Sequence, residues 1–194
     1  MKSPRRTALI TITVLLVVGI FGGLFAHHQL AQKRHRERIV ATTYAVVQIA
    51  DRLKLPLVGV PNTENKLPAR YKNVTKVGSP MNPSAEKIAS VKPTAVYSVT
   101  TLKDQFGKSF KQQHIKPYFL SLQSVSDLQR VVTKMGNQYH RKAEARGANR
   151  EIDHAISKAK QRTSGQKKPR VLVLMGLPGA GYMIATNRSY VGNL

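Results

Sequence analysis

The chain has 194 residues, 41% of them hydrophobic, which suffices for one full core with accessories and excludes a disordered tail. Its 32 Lys and Arg against 9 Asp and Glu give a formal charge of +23, which attracts any polyanion and so selects no partner by itself. The absence of cysteine excludes disulfides, thiolate metal centres and a lipid-modified N-terminal cysteine, and leaves the redox compartment open.

Residues 8–26 form an uncharged, largely apolar run behind Lys2, Arg5 and Arg6. As a helix the run would measure roughly 28 Å, the thickness of a bilayer's hydrocarbon core. It reads as a signal anchor or a signal peptide (residues 1–26), and the anchor is favoured because Leu24, Phe25 and Ala26 make a poor small-x-small cleavage site. Lys33, Arg34, Arg36 and Arg38 nearly balance the basic residues on the other side, so positive-inside counting does not orient it. Residues 27–37 are a basic spacer.

Beyond the spacer, short β-type runs alternate with helical ones, the pattern of an α/β fold with a doubly wound sheet. Strands are expected at 39–42, 57–60, 73–77, 95–99 and 117–120. A helix over 44–53 carries Val46, Val47, Ile49, Ala50 and Leu53 on one stripe, with Thr42 or Thr43 as cap. A second runs from about 83 to 91, with Pro83 in its first turn and Ser84 or Asn82 capping. The third, over 102–113, sets Phe106 and Phe110 at i, i+4. Residues 38–123 thus make one α/β lobe.

From 124 to 163 the pattern is helical, with Leu128, Val132, Met135 and Tyr139, then Ala148, Ile152 and Ile156 keeping one apolar face. A continuous helix here would span about 55 Å, a strut between two bodies, with Gly136 and Gly147 as the points at which it can bend. After a polar linker, residues 170–175 start a new buried strand. Residues 164–194 are expected to be an incomplete second lobe, since about 25 residues cannot close a core. Expressed alone, the chain is expected to expose residues 171–175 and aggregate.

Residues 171–183 mimic the strand and glycine-rich loop of a nucleotide kinase, but Tyr182 and Met183 stand where Lys and Ser/Thr are needed. The plain reading is a glycine-rich turn, whose Gly179 and Tyr182 can still line a ligand because glycine lets backbone approach closely. The six histidines show no metal-binding spacing and read as surface residues. Nine scattered acids supply no catalytic pair and no nucleophile elbow is present, so the chain is not expected to be an enzyme. The basic runs 33–38 and 141–150 hold few aromatics for stacking bases, which argues against specific nucleic-acid recognition and leaves binding to anionic polymer as an alternative.

What remains is a set of turns at the carboxyl ends of the expected strands: Thr42 with Thr43, the Gly78-Ser79-Pro80-Met81 turn, Thr100 with Thr101, and residues 176–182. Ligands of open parallel sheets bind along this edge, where helix N-termini face anions. Spacing alone leaves Met81 either a packing residue or a ligand.

Several segments in consistent order carry a resemblance: RIVATT at 38–43, PLVGVP at 56–61, LPARY at 67–71, VGSPM at 77–81, VTTL at 99–102 and VLMGLPG at 173–179. Together they resemble the heme-binding receptors of iron-regulated surface determinant (Isd) ABC uptake systems. These belong to the helical-backbone class of substrate-binding proteins, which also carries siderophores and cobalamin. The resemblance covers about residues 38–194 and implies two α/β lobes bridged by a long helix. It implies heme, or another iron complex, as the transported ligand, with Met81 an axial ligand of the iron and a second-lobe histidine opposite. By the same resemblance heme propionates sit near Thr42, Thr43 and Tyr44. It further implies a monomer that works with ABC permease and ATPase subunits, its domain outside the cell membrane. The family's lipobox cysteine has no counterpart, so anchoring falls to residues 8–26.

Overall fold

A computed structural model of the protein describes residues 37–115, 117–167, 170–177, 181–186 and 189–193. The proposed anchor at 8–26 and most of the basic spacer lie outside these residues, and no helix among the described residues is long and apolar enough to cross a membrane. The described chain from Arg38 onward forms one compact unit.

Five strands, β1 (Ile39–Ala41), β2 (Leu57–Val60), β3 (Thr75–Lys76), β6 (Ala95–Val99) and β7 (Pro117–Leu120), make a wholly parallel sheet in the order β3-β2-β1-β6-β7. Between β2 and β6, β4 (Gly78–Ser79) and β5 (Asn82–Pro83) pair as a separate antiparallel hairpin. Both faces of the sheet are covered, so its central strands are apolar in succession rather than alternating. Ile39, Ala41 and Tyr97 look to one side, and Val40 and Val96 to the other, all of them buried.

The first side is packed by α1 (Tyr44–Arg52), α4 (Val125–Gln138) and α5 (Lys142–Thr163), through Val46, Val47, Ala50, Val132, Met135 and Ala148. The second side is packed by α2 (Ala85–Ser90) and α3 (Lys103–Gln112), through Ile88, Phe106 and Phe110. Each buried Val, Ile, Met or Phe side chain of this core contributes on the order of 1.5–3 kcal/mol by leaving water. The expected caps form: Thr43 Oγ1 accepts from Val46 N at the start of α1, and Ser84 Oγ accepts from Lys87 N at the start of α2.

The strut expected over residues 125–162 is instead two helices. The chain breaks at residues 139–141, where His140 takes φ +55°, and α5 returns antiparallel along α4. Gln129 Nε2 donates to Asp153 Oδ1 (2.7 Å), Asn149 Nδ2 donates to Thr133 Oγ1 (2.9 Å), and Gly136 lies against Ala145. The break is anchored by Tyr139, whose hydroxyl lies 2.8 Å from the hydroxyl of Tyr97 on β6. Burial holds the Tyr97 phenol above its usual range and outweighs the lowering effect of its hydrogen bond with Tyr139. Gly147 does not bend α5, which runs through it unbroken.

After α5, β8 (Leu174–Leu177) and β9 (Gly181–Ile184) form an antiparallel hairpin that joins no strand of the main sheet, and α6 (Tyr190–Asn193) follows. The kinase-like motif therefore sits on a hairpin. A phosphate-binding loop instead leads from a strand into a helix N-terminus, so the geometry as well as the missing Lys disfavours nucleotide binding. The strand expected from 170 forms only from Leu174, and the apolar stretch 171–175 is largely exposed, as expected of this chain alone, with Val171 and Leu172 at 73% and 68% of their full accessibility.

Candidate functional site

The strand order places β1 and β6 side by side with their following connections on opposite faces: β1 leads to α1 on one side and β6 to α3 on the other. This is the topological switch point of a doubly wound sheet, where a crevice opens beyond the carboxyl ends. Thr42, Thr43 and Tyr44 leave β1 there, and Thr100 and Thr101 leave β6 as a short 3-10 turn into α3.

The threonines after β1 are turned inward. Thr42 is buried, its backbone N and its Oγ1 both donating to Tyr97 O (3.0 and 3.2 Å), and Thr43 is occupied as helix cap. They lock the edge of the sheet, and what they leave for an anion are the first-turn amides of α1, which lack intrahelical acceptors. The Tyr44 hydroxyl donates to Lys66 O (3.2 Å), which ties the loop after β2 to the same edge.

Met81 lies at the tip of the β4–β5 hairpin with 61% of its surface exposed. Two hydrogen bonds fix the turn: Asn82 N donates to Ser79 Oγ (3.1 Å), and Gln105 Nε2 of α3 donates to Met81 O (3.1 Å). The backbone of Met81 is therefore held against α3, and its side chain stays out of the core. Gly78, with φ +106°, starts the turn, and a Cβ there would stand 2.7 Å from Asn82 O and Ser84 N. Only glycine fits.

Met81 thus shares the carboxyl edge of the sheet with the threonine pairs. Tyr182 does not. It lies on β9, exposed, opposite Gly176, while Gly179 falls outside the described residues. His114, His140 and His154 are exposed, and no group of three or more His, Asp or Glu suited to a metal ion occurs among the described residues.

A feature that sequence reasoning missed opens next to Thr100 and Thr101. It is a largely apolar groove of about 990 Å³ between α1, α4 and α5, with Ile49, Leu122, Leu128 and Ile152 along it and Thr186 at one side. Across it Arg52 of α1 pairs with Glu151 of α5. The signal was present in α1, where Ala45, Gln48, Ile49 and Arg52 follow i, i+3, i+4, i+7 on a second face beside the core stripe. The groove lies on the α1, α4 and α5 side of the sheet, whereas Met81 is tied to α3 on the other side. An apolar groove suits a flat apolar ligand, an exposed thioether a soft metal, and free helix amides an anion.

The profile of the periplasmic binding protein family matches residues 39–194. The high-affinity heme uptake system protein IsdE of Staphylococcus aureus (strain Newman) is 40% identical over 191 residues, an overlap of 98% of this chain and 65% of that protein. Among solved structures, S. aureus IsdE complexed with heme superposes with a TM-score of 0.77 at 42% identity, covering 81% of this chain and 61% of the other. An ABC transporter substrate-binding protein from Listeria monocytogenes EGD-e matches with a TM-score of 0.76 at 38% identity over the same shares, 81% and 61%. The chain thus spans just under two thirds of the length of these relatives.

Proposed function

The chain belongs to the periplasmic binding protein family, and from that premise we propose that it is a heme-binding component of an ABC importer. The reading rests on one observation: the 42% identity and shared fold with a relative solved in complex with heme. Heme is captured as cargo at the carboxyl edge of the parallel sheet and handed to a membrane permease driven by its ATPase, with no bond made or broken in the ligand. The domain works outside the membrane, anchored by residues 8–26.

Met81 supplies an axial bond to the iron. A thioether is a neutral, soft ligand, and paired with an imidazole it holds heme iron without activating oxygen. The exposed position of Met81, on a turn pinned from both sides, supports this role. The first-turn amides at Thr43 and Tyr44 receive the propionates, Thr42 keeps that edge in place, and Thr100 and Thr101 border the ring.

Hemin titration of the full chain is expected to give a Soret shift that Met81→Ala weakens by at least tenfold in affinity and displaces in wavelength. An unchanged spectrum in the variant would remove Met81 from the iron. Absence of any saturable shift in the wild-type chain would remove heme, and a ferric siderophore or cobalamin that outcompetes hemin would reassign the cargo.

A further inference from the structure

Helix α5 spans 22 residues, about 33 Å at 1.5 Å per residue. Ala145 and Ala148 are buried against its neighbours, and Ile152 is half-buried. On the outer side Arg146, Arg150, His154, Lys158 and Arg162 recur every fourth residue, all exposed. Each step of four advances about 40° around the helix, so the row winds slowly across the solvent-facing half without entering the packed face.

The charge of this row is not compensated. The three acids of α5 are all engaged on the flanks: Glu144 with Lys54 (4.0 Å), Glu151 with Arg52, and Asp153 as acceptor from Gln129 Nε2 (2.7 Å). None of the four Lys and Arg side chains in the row has a carboxylate partner among the described residues. No aromatic residue interrupts it, which removes the stacking platform a single-stranded nucleic acid would use. Only the short spacer 27–37 separates the folded unit from the bilayer-length apolar run at 8–26 in sequence, so a tethered chain would meet lipid headgroups at high effective concentration.

We infer that the outer face of α5 docks on an anionic lipid surface. This rests on the membrane tethering proposed above and not on the identity of the cargo. Each Lys or Arg brought to such a surface strengthens binding roughly fivefold at low salt, and the attraction decays within a Debye length.

Because the chain has no cysteine, a single reporter can be placed cleanly. The full chain carrying His154→Cys, labelled with an environment-sensitive fluorophore, is reconstituted into phosphatidylcholine vesicles with or without phosphatidylglycerol, and aqueous iodide quenching is read. A second reporter at Lys111→Cys, exposed on the opposite layer, is the control. Phosphatidylglycerol is expected to protect position 154 severalfold and leave position 111 unchanged. High salt, or R146Q/R150Q/K158Q/R162Q together, should abolish the protection, while the Soret titration of that variant stays at the wild-type value. Equal quenching with and without phosphatidylglycerol, protection that survives the quadruple variant, or protection by single-stranded DNA in place of vesicles would each overturn the inference. Loss of the Soret shift with protection intact would sink the heme reading alone.

Discussion

Gly78 and Gly147 show how differently one residue type is used. At Gly78 an added Cβ meets backbone atoms that cannot yield, on top of a positive φ, so Gly78→Ala is expected to cost about 1–3 kcal/mol. It should also weaken hemin binding, because it displaces the turn that carries Met81. At Gly147 nothing lies within 4 Å of the added atom and the residue sits inside α5. Gly147→Ala should therefore stabilise by about 0.5–1 kcal/mol through helix propensity. Urea midpoints of the two variants, moving in opposite directions, check both statements. The sequence made the Gly-Ser-Pro-Met turn visible, because glycine and proline punctuate it. It did not tell that Met81 points outward: exposure depends on Gln105, 24 residues away, holding the turn against α3.

At the scale of elements, the five strands and the first three helices were legible because each is a short apolar run bounded by caps and turns. The boundaries shift where a local bond intervenes: β3 leaves the ladder once Gly78 turns the chain, and Pro83, expected in the first turn of the second helix, instead ends β5, so that the helix starts at Ala85 behind the Ser84 cap. The helix hairpin was not legible. The apolar period passes through residues 139–141 without interruption, and no proline or glycine falls within them; Gly136, one of the two expected bend points, lies a turn earlier and does not by itself distinguish a bend from a full reversal. The reversal depends on the distant Tyr97 hydroxyl and on the close approach of Gly136 to α5. A Cβ at Gly136 would lie 2.4 Å from Ala145 Cβ and 3.1 Å from Arg141 O. Gly136→Ala should cost about 1–3 kcal/mol by forcing the pair apart, and adding Ala145→Gly should recover part of that loss, a coupling that a double-mutant cycle measures.

The start of the same hairpin carries a pH dependence. Burial acts to raise the Asp127 carboxyl, but the hydrogen bond from the Ser121 hydroxyl, the adjacent Ser124 hydroxyl and the Arg130 guanidinium outweigh it and hold the group below the usual carboxylate range. A carboxyl depressed on folding stabilises above its unfolded pKa, and that contribution disappears as pH falls through the folded value. Asp127→Asn is therefore expected to be less stable than wild type at neutral pH. The difference in urea midpoint should close as pH drops below the ordinary carboxylate range. A gap independent of pH would show that the capping geometry, and not the charge, matters at this position.

For the molecule as a whole, the charge of +23 and the exposed hairpin act against one another. Val171, Leu172, Leu174, Met175, Met183 and Ile184 are all exposed on and beside β8 and β9, and the hairpin pairs with no other strand among the described residues. An apolar patch with open strand edges is a template for association, while a large net charge of one sign keeps copies apart. Salt removes the second effect and leaves the first, because screening shortens the reach of exposed charges to about 8 Å at physiological ionic strength. Self-association of the chain is therefore expected to rise with salt, the reverse of the salt response of lipid docking by α5. Sedimentation velocity in detergent, with Leu172→Lys and Met175→Lys as the relieving variants, separates the two terms. A monodisperse monomer at high salt, with the β8 amides protected from exchange, would mean that the patch is covered within the molecule.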